Sequence, residues 1–133
     1  MNYLLDTHVL IWAMHEIPRL SNAAQQIISS RSNNVLVSVV SFWELAIKTR
    51  LEKFSIKKTN IKDIPQYARD MGLAIWDLQE RDAISFLDLP LKENHKDPFD
   101  RMLIWQAINN NLTLLSKDKL FQQYAADGLK LLW

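Results

Sequence analysis

Tyr3-Leu4-Leu5-Asp6-Thr7-His8-Val9-Leu10-Ile11-Trp12-Ala13-Met14 reads as a strand that feeds directly into a helix. The short apolar run Tyr3 to Leu5 stops at Asp6. From Thr7 the apolar spacing Val9, Leu10, Ala13, Met14 suits one face of a helix that must end before Pro18. The same unit recurs along the chain. Ser21 can cap a helix running to about Arg31, Asn33-Asn34 is a turn, Val35 to Val39 is β-branched and strand-like, and Ser41 opens a helix through Leu51. Asn60 to Met71 reads as a helix stopped by Gly72, and Leu73 to Trp76 as a third strand ended by Asp77. Glu80 to Leu87 is a further helix, Asp88 to Asp97 with Pro90 a loop, and Pro98 to about Asn110 a helix opened by proline. Leu112 to Leu115 is strand four, Lys119 to Ala126 a helix ended by Gly128, and Leu129 to Trp133 strand five. Short apolar strands alternating with helices require right-handed crossovers, and therefore a mainly parallel sheet covered on both faces. The expected fold is α/β, a three-layer α/β/α sandwich. No repeat or break in composition divides the chain, so residues 1–133 are expected to form a single domain, whose strand order the pattern leaves open.

Composition removes whole classes of function. With 48% hydrophobic and 23% charged residues among 133, the chain is long and apolar enough for a real core, which excludes disorder. The absence of cysteine removes thiolate nucleophiles, zinc ribbons, disulfide frameworks and iron–sulfur clusters together, so any metal must be held by oxygen or imidazole. Two glycines exclude a dinucleotide fingerprint, and there is no P-loop or nucleophile elbow. The apolar N-terminus has no Lys or Arg before Arg19 and carries Asp6, unlike a signal peptide. No apolar run reaches the ~20 residues of a membrane span, so the expected compartment is the cytoplasm and no membrane partner is expected. A net charge of +1 announces no nucleic-acid partner for the molecule as a whole.

Parallel sheets place ligands at the carboxyl ends of their strands, and four acids fall there. Asp6 follows strand one and Asp118 follows strand four. Glu44 and Asp100 lie in the first turns of the helices expected from Ser41 and Pro98. Carboxylates converging without basic neighbours repel one another, and a hard divalent cation such as Mg²⁺ relieves them. Each acid also has a purely structural reading. Ser41-Phe42-Trp43-Glu44 has the form of a capping box, and Asp97-Pro98-Phe99-Asp100 that of an N-cap followed by proline and an acid. The coincidence of four such acids at one sheet edge favours the metal. His8 and His15, seven apart on one helix, read as packed side chains rather than ligands, whereas His95 lies beside the acid-rich turn.

Taken in order, Tyr3-Leu4-Leu5-Asp6-Thr7-His8, Ser41 to Glu44, His95-Lys96-Asp97-Pro98-Phe99-Asp100-Arg101 and Leu114-Leu115-Ser116-Lys117-Asp118 resemble the motifs of PIN-domain proteins along essentially the whole chain. The resemblance is greatest to VapC-type toxins of bacterial toxin–antitoxin pairs. It implies a Mg²⁺- or Mn²⁺-dependent ribonuclease with a three-layer fold, an acidic pocket of Asp6, Glu44, Asp100 and Asp118 holding the metal, and products with 5′-phosphate and 3′-hydroxyl ends. It also implies a homodimer and a VapB-like antitoxin, with Trp12 and Trp43 on the helices that form the antitoxin's groove. Ser116 stands where the family commonly has threonine, which preserves the hydroxyl. Asp97 and Asp100 are both within reach of a metal, and Asp100 is the better match because Asp97 is placed to cap the helix.

Lys48, Arg50, Lys53, Lys57, Lys58 and Lys62 fall within fifteen residues whose only acid is Glu52, a basic patch suited to RNA or equally to a solvated face. Two other readings remain in view. A PIN-like module could bind RNA or protein without cutting. A phosphoacceptor receiver would use Asp77 with Lys117, but it needs an acid pair after strand one, where only Asp6 stands.

Overall fold

The computed structural model describes residues 1–133. Five strands, β1 (Asn2–Leu5), β2 (Asn34–Ser38), β3 (Ala74–Trp76), β4 (Thr113–Leu115) and β5 (Lys130–Leu132), form one sheet in the order β3-β2-β1-β4-β5. Every pair is parallel, with Leu4 in register with Leu36 on one side and Leu114 on the other. The strand side chains alternate between two cores. Tyr3, Leu5, Val35, Val37 and Leu115 pack against α1 (Thr7–His15), α2 (Asn22–Ser29) and α4 (Ile64–Asp70). Leu4, Leu36 and Leu114 pack against α6 (Pro98–Asn109) and the 3₁₀ helix Lys119–Asp127. Both faces are therefore covered, and the fold is the three-layer α/β/α sandwich expected from the strand–helix alternation. No helix is long and apolar enough to cross a membrane.

Several boundaries differ from the sequence reading for local reasons. Val39 does not extend β2 but opens α3 (Val39–Arg50), because the Ser38 hydroxyl accepts the Val40 amide at 3.0 Å and caps the helix there. Ser41 and Glu44 are thus not a capping box; Ser41 lies in the first turn and Glu44 one turn further on. The segment expected as one helix from Asn60 divides into a 3₁₀ turn, Ile61–Asp63, and α4, with Pro65 at its start. Likewise α5 (Glu80–Ser85) passes into a 3₁₀ turn at Phe86–Asp88, and Lys119–Asp127 is 3₁₀ throughout. Gly128 ends that last helix in the left-handed conformation, φ 102°, as its position suggested.

The strand order decides where a ligand can sit. From β1 the chain steps outward through β2 to β3, then returns past β1 to place β4 on its other side. Strand order reverses between β1 and β4, and in open parallel sheets the crevice outside the carboxyl ends at such a point is the ligand site. Asp6 and Asp118 lie there. The same order overturns the receiver reading: β3 is an edge strand, three spacings or roughly 14 Å from β4, so Asp77 and Lys117 leave the sheet far apart.

Candidate metal centre

Asp6 leaves β1 at the start of α1, yet its side chain makes no capping bond to that helix. Its Oδ2 instead accepts a hydrogen bond from the Ser116 hydroxyl at 2.7 Å, and Ser116 Oγ accepts the Asp118 amide at 3.1 Å. The hydroxyl of the Ser-x-Asp turn thereby ties the ends of β1 and β4 together. Asp118 itself caps the 3₁₀ helix, accepting the Leu120 amide at 2.9 Å. Asp6 is buried and its Oδ1 has no hydrogen-bond partner. Burial raises its pKa above the ordinary carboxylate value, and Glu44 adds to the rise, against the lowering by Ser116 and His8.

Glu44 is brought to the same place by α3, whose first turn is joined to α1 by a bond from Thr7 Oγ1 to Ser41 Oγ at 2.9 Å. Only 2% of Glu44 is exposed, and Oε1 is unpartnered while Oε2 pairs with Lys48 one turn on. Burial opposes the Lys48 charge, but the bond to Glu44, its charge, and those of Asp97 and Asp100 hold the ammonium above its ordinary pKa. Lys48 is accordingly the cation of the acidic site rather than a member of the surface patch. In the sequence Lys48 reads as part of the basic run, although its i,i+4 spacing to Glu44 on a helix carries the signal.

Asp97 caps α6, accepting the Phe99 amide at 2.8 Å and the Asp100 amide at 3.1 Å through Oδ1. Asp100, one turn in, is the hub of the site. Carboxylate oxygens of Glu44, Asp97 and Asp100 lie within 4.8 Å of one another, and so do ligand atoms of His95, Asp100 and Asp118. Burial, followed by the charges of Asp6, Asp97, Glu44 and Asp118, pushes the Asp100 carboxyl up to about 8. The fold therefore brings together all four acids chosen from the sequence, with Asp6 coupled to the hub through charge rather than as a member of either triad. Asp97 caps the helix, as the sequence suggested, and also faces the site.

His95 joins from the long loop. Its Nδ1 shares a hydrogen bond with Tyr124 OH at 2.7 Å, and the same phenol oxygen accepts Arg101 Nε at 3.3 Å. This leaves Nε2, buried without a hydrogen-bond partner, 3.6 Å from Asp100 Oδ2. Burial lowers the His95 pKa, against Asp118 and Asp97, and so favours the neutral ring that can ligate a metal. No sequence signal singled out Tyr124, because its contact with His95 depends on how the intervening loop folds back. His8 and His15, read as packed, are both exposed, since α1 buries Thr7, Val9, Leu10 and Ala13 instead. Arg50 at the end of α3, and Lys53, Lys57, Lys58 and Lys62 in the segment after it, stand exposed.

Orphaned buried oxygens on Asp6 and Glu44, a carboxyl held protonated to about 8, and a single lysine among the acids suit a hard divalent cation, whose preferred ligands are oxygens. Ribonuclease VapC22 of Mycobacterium tuberculosis is 27% identical over 124 residues, covering 91% of this chain and 90% of that protein. A chain of the crystal structure of VapBC2 from Rickettsia felis, bound to a DNA fragment from their promoter, superposes with a TM-score of 0.69 at 18% identity, covering 99% and 98% of the two chains. VapBC-1 from nontypeable Haemophilus influenzae gives 0.65 at 18% identity, covering 99% and 97%. The sequence profile of the PIN domain matches residues 3–127, from the first residues of β1 to the end of the last helix, and the chain belongs to that family.

Proposed function

We propose that the chain is a single PIN-like domain and a metal-dependent ribonuclease, the toxin of a VapBC-like pair. The observation that carries this reading is the meeting of Glu44, Asp97, His95 and Asp118 on Asp100, beside the unpartnered Asp6, at the point where strand order reverses. The names of the relative and of the two complexes support the ribonuclease and the VapB-like antitoxin. Its substrate is RNA in the cytoplasm, and the working form is a homodimer restrained by the antitoxin.

Asp6, Asp100 and Asp118, with Glu44 completing the set, would hold Mg²⁺ or Mn²⁺. Bound there, the ion supplies charge neutralisation at the phosphoryl oxygens and a lowered pKa for water. The chain's own groups do the positioning. Ser116 fixes Asp6 by its 2.7 Å bond, Asp97 sets the first turn of α6 and with it the direction of Asp100, and Lys48 balances Glu44, which orients water. Attack of water oxygen on phosphorus with rupture of the bond to O3′ leaves a 5′-phosphate and a 3′-hydroxyl. The test is cleavage of a mixed RNA pool that includes tRNA, by antitoxin-free protein in Mg²⁺, Mn²⁺ or EDTA, beside Asp6→Asn. Cutting should need metal and vanish in the variant while the fold is kept. Metal-dependent cutting that survives Asp6→Asn would remove the assignment, and metal binding with no cutting of any RNA would favour a non-catalytic binding module.

A further inference from the structure

Beside the acids lies an open cleft of about 440 Å³ walled by Asp6, His8, Trp12, Arg19, Lys117 and Asp118. Two of its walls are candidate metal ligands, His8 acts on one of them through its charge, and Trp12, Arg19 and Lys117 have no role in the acidic cluster. The Arg19 guanidinium lies over the Trp12 ring, 4.6 Å from its centroid. Trp12 is in turn braced edge-on by Trp133 at 5.9 Å, with His8 at 6.0 Å. Arg19 bonds only to the exposed Glu16, at 3.2 Å, and Lys117 is exposed and forms no ion pair. Cations that stand beside buried acids without neutralising them are free for an anion from solution. A guanidinium layered on an indole presents a flat surface on which a splayed RNA base stacks.

We propose that this cleft is a nucleotide subsite, in which Arg19 on Trp12 stacks the unpaired base next to the scissile phosphate and Lys117 holds a neighbouring phosphate. A base locked in a duplex cannot turn onto the platform, so Arg19 and Trp12 act only where the strand is open. The inference rests on the ribonuclease reading and adds to it the side chains that seat the nucleotide beside the acids.

The test compares the wild-type protein with Arg19→Gln, Lys117→Gln, their double variant and Trp12→Leu. Each is assayed with Mn²⁺ on an unstructured twelve-nucleotide RNA and on the same sequence in a duplex. Arg19→Gln and Lys117→Gln should each raise KM about fivefold to tenfold with kcat changed less than twofold. The double variant should reduce the salt dependence of binding, measured in EDTA, as phosphate contacts are lost. Calorimetric affinity for Mn²⁺ alone should stay as in the wild type. Trp12→Leu should lose at least fivefold in affinity for the single strand and its preference over the duplex. If that variant fails to fold, the exposed Arg19 and Lys117 decide the matter by themselves. A wild type that cuts RNA with a KM and salt dependence matched by the double variant would overturn the subsite and leave the ribonuclease standing. A wild type that neither binds nor cuts RNA would overturn both. Loss of antitoxin binding in the double variant with unchanged KM for RNA would make the cleft a protein-binding surface and overturn the subsite.

Discussion

Asp100 lies among more negative charge than its burial tolerates. Desolvation comes first and the charges of Asp6, Asp97, Glu44 and Asp118 follow, moving its carboxyl from 3.8 to about 8. Between those values the folded chain keeps a proton that the unfolded chain has lost. Stability of the metal-free protein is therefore fullest below the ordinary carboxylate range and declines as pH rises towards 8. A cation must displace that proton, so metal binding near pH 6.5 should release about one proton and tighten as pH rises to 8. Calorimetry in two buffers of different ionisation enthalpy reads this directly, and proton-neutral Mn²⁺ binding at pH 6.5 would contradict it. Ser116→Ala leaves the buried Asp6 Oδ2 and the Asp118 amide without their shared partner, at a cost of about 1–3 kcal/mol in urea unfolding. Ser116→Thr keeps the hydroxyl and should restore both stability and cutting; an alanine variant as stable and active as the wild type would mean that the hydroxyl does not position Asp6.

At the start of α6 a single side chain, Asp97, has two separable effects. Asp97→Ala removes the cap and should cost roughly 0.5–2 kcal/mol, whereas Asp97→Asn keeps the acceptor and should fold nearly as well. Both remove a charge from the triad with Glu44 and Asp100, so both should weaken Mn²⁺ binding to a similar degree. Unaltered Mn²⁺ affinity in Asp97→Asn would confine the residue to capping. This cap was legible, because Asp97-Pro98 is a local signal and the helix begins where it says. The start of α3 was not. Val39 and Val40 carry β propensity, and Ser41 stands three residues before Glu44, so the strand read one residue long and the serine read as a cap. The Ser38 hydroxyl settles the boundary locally, but Ser41 is held by Thr7, thirty-four residues away, and no window of sequence contains that bond. His95 and Tyr124 are separated in the same way, by twenty-nine residues.

For the whole molecule, the alternation of strands and helices gives the layers, since each short apolar strand must be covered on both faces, but it does not give the order of the strands. That order depends on the long return from β3 to β4, and only in the folded chain do Asp6 and Asp118 flank the same crevice. The convergence has an energetic consequence. Acids brought to one edge by the sheet repel one another, relieved by one lysine and by a proton on Asp100, so the site is a liability to the metal-free fold and its filling should stabilise the molecule. A ligand present at a hundred times its Kd adds about 2.7 kcal/mol. For a domain of this size that corresponds to a rise in Tm of roughly 10 °C. Asp100→Asn should separate repulsion from binding. Removing the hub of the repulsion should raise the metal-free Tm above that of the wild type at pH 9, where the native carboxyl is ionised, and should abolish most of the Mn²⁺-induced rise. A variant that melts below the wild type at pH 9 and still gains the full shift with Mn²⁺ would mean that Asp100 is not where the fold's negative charge and its metal meet.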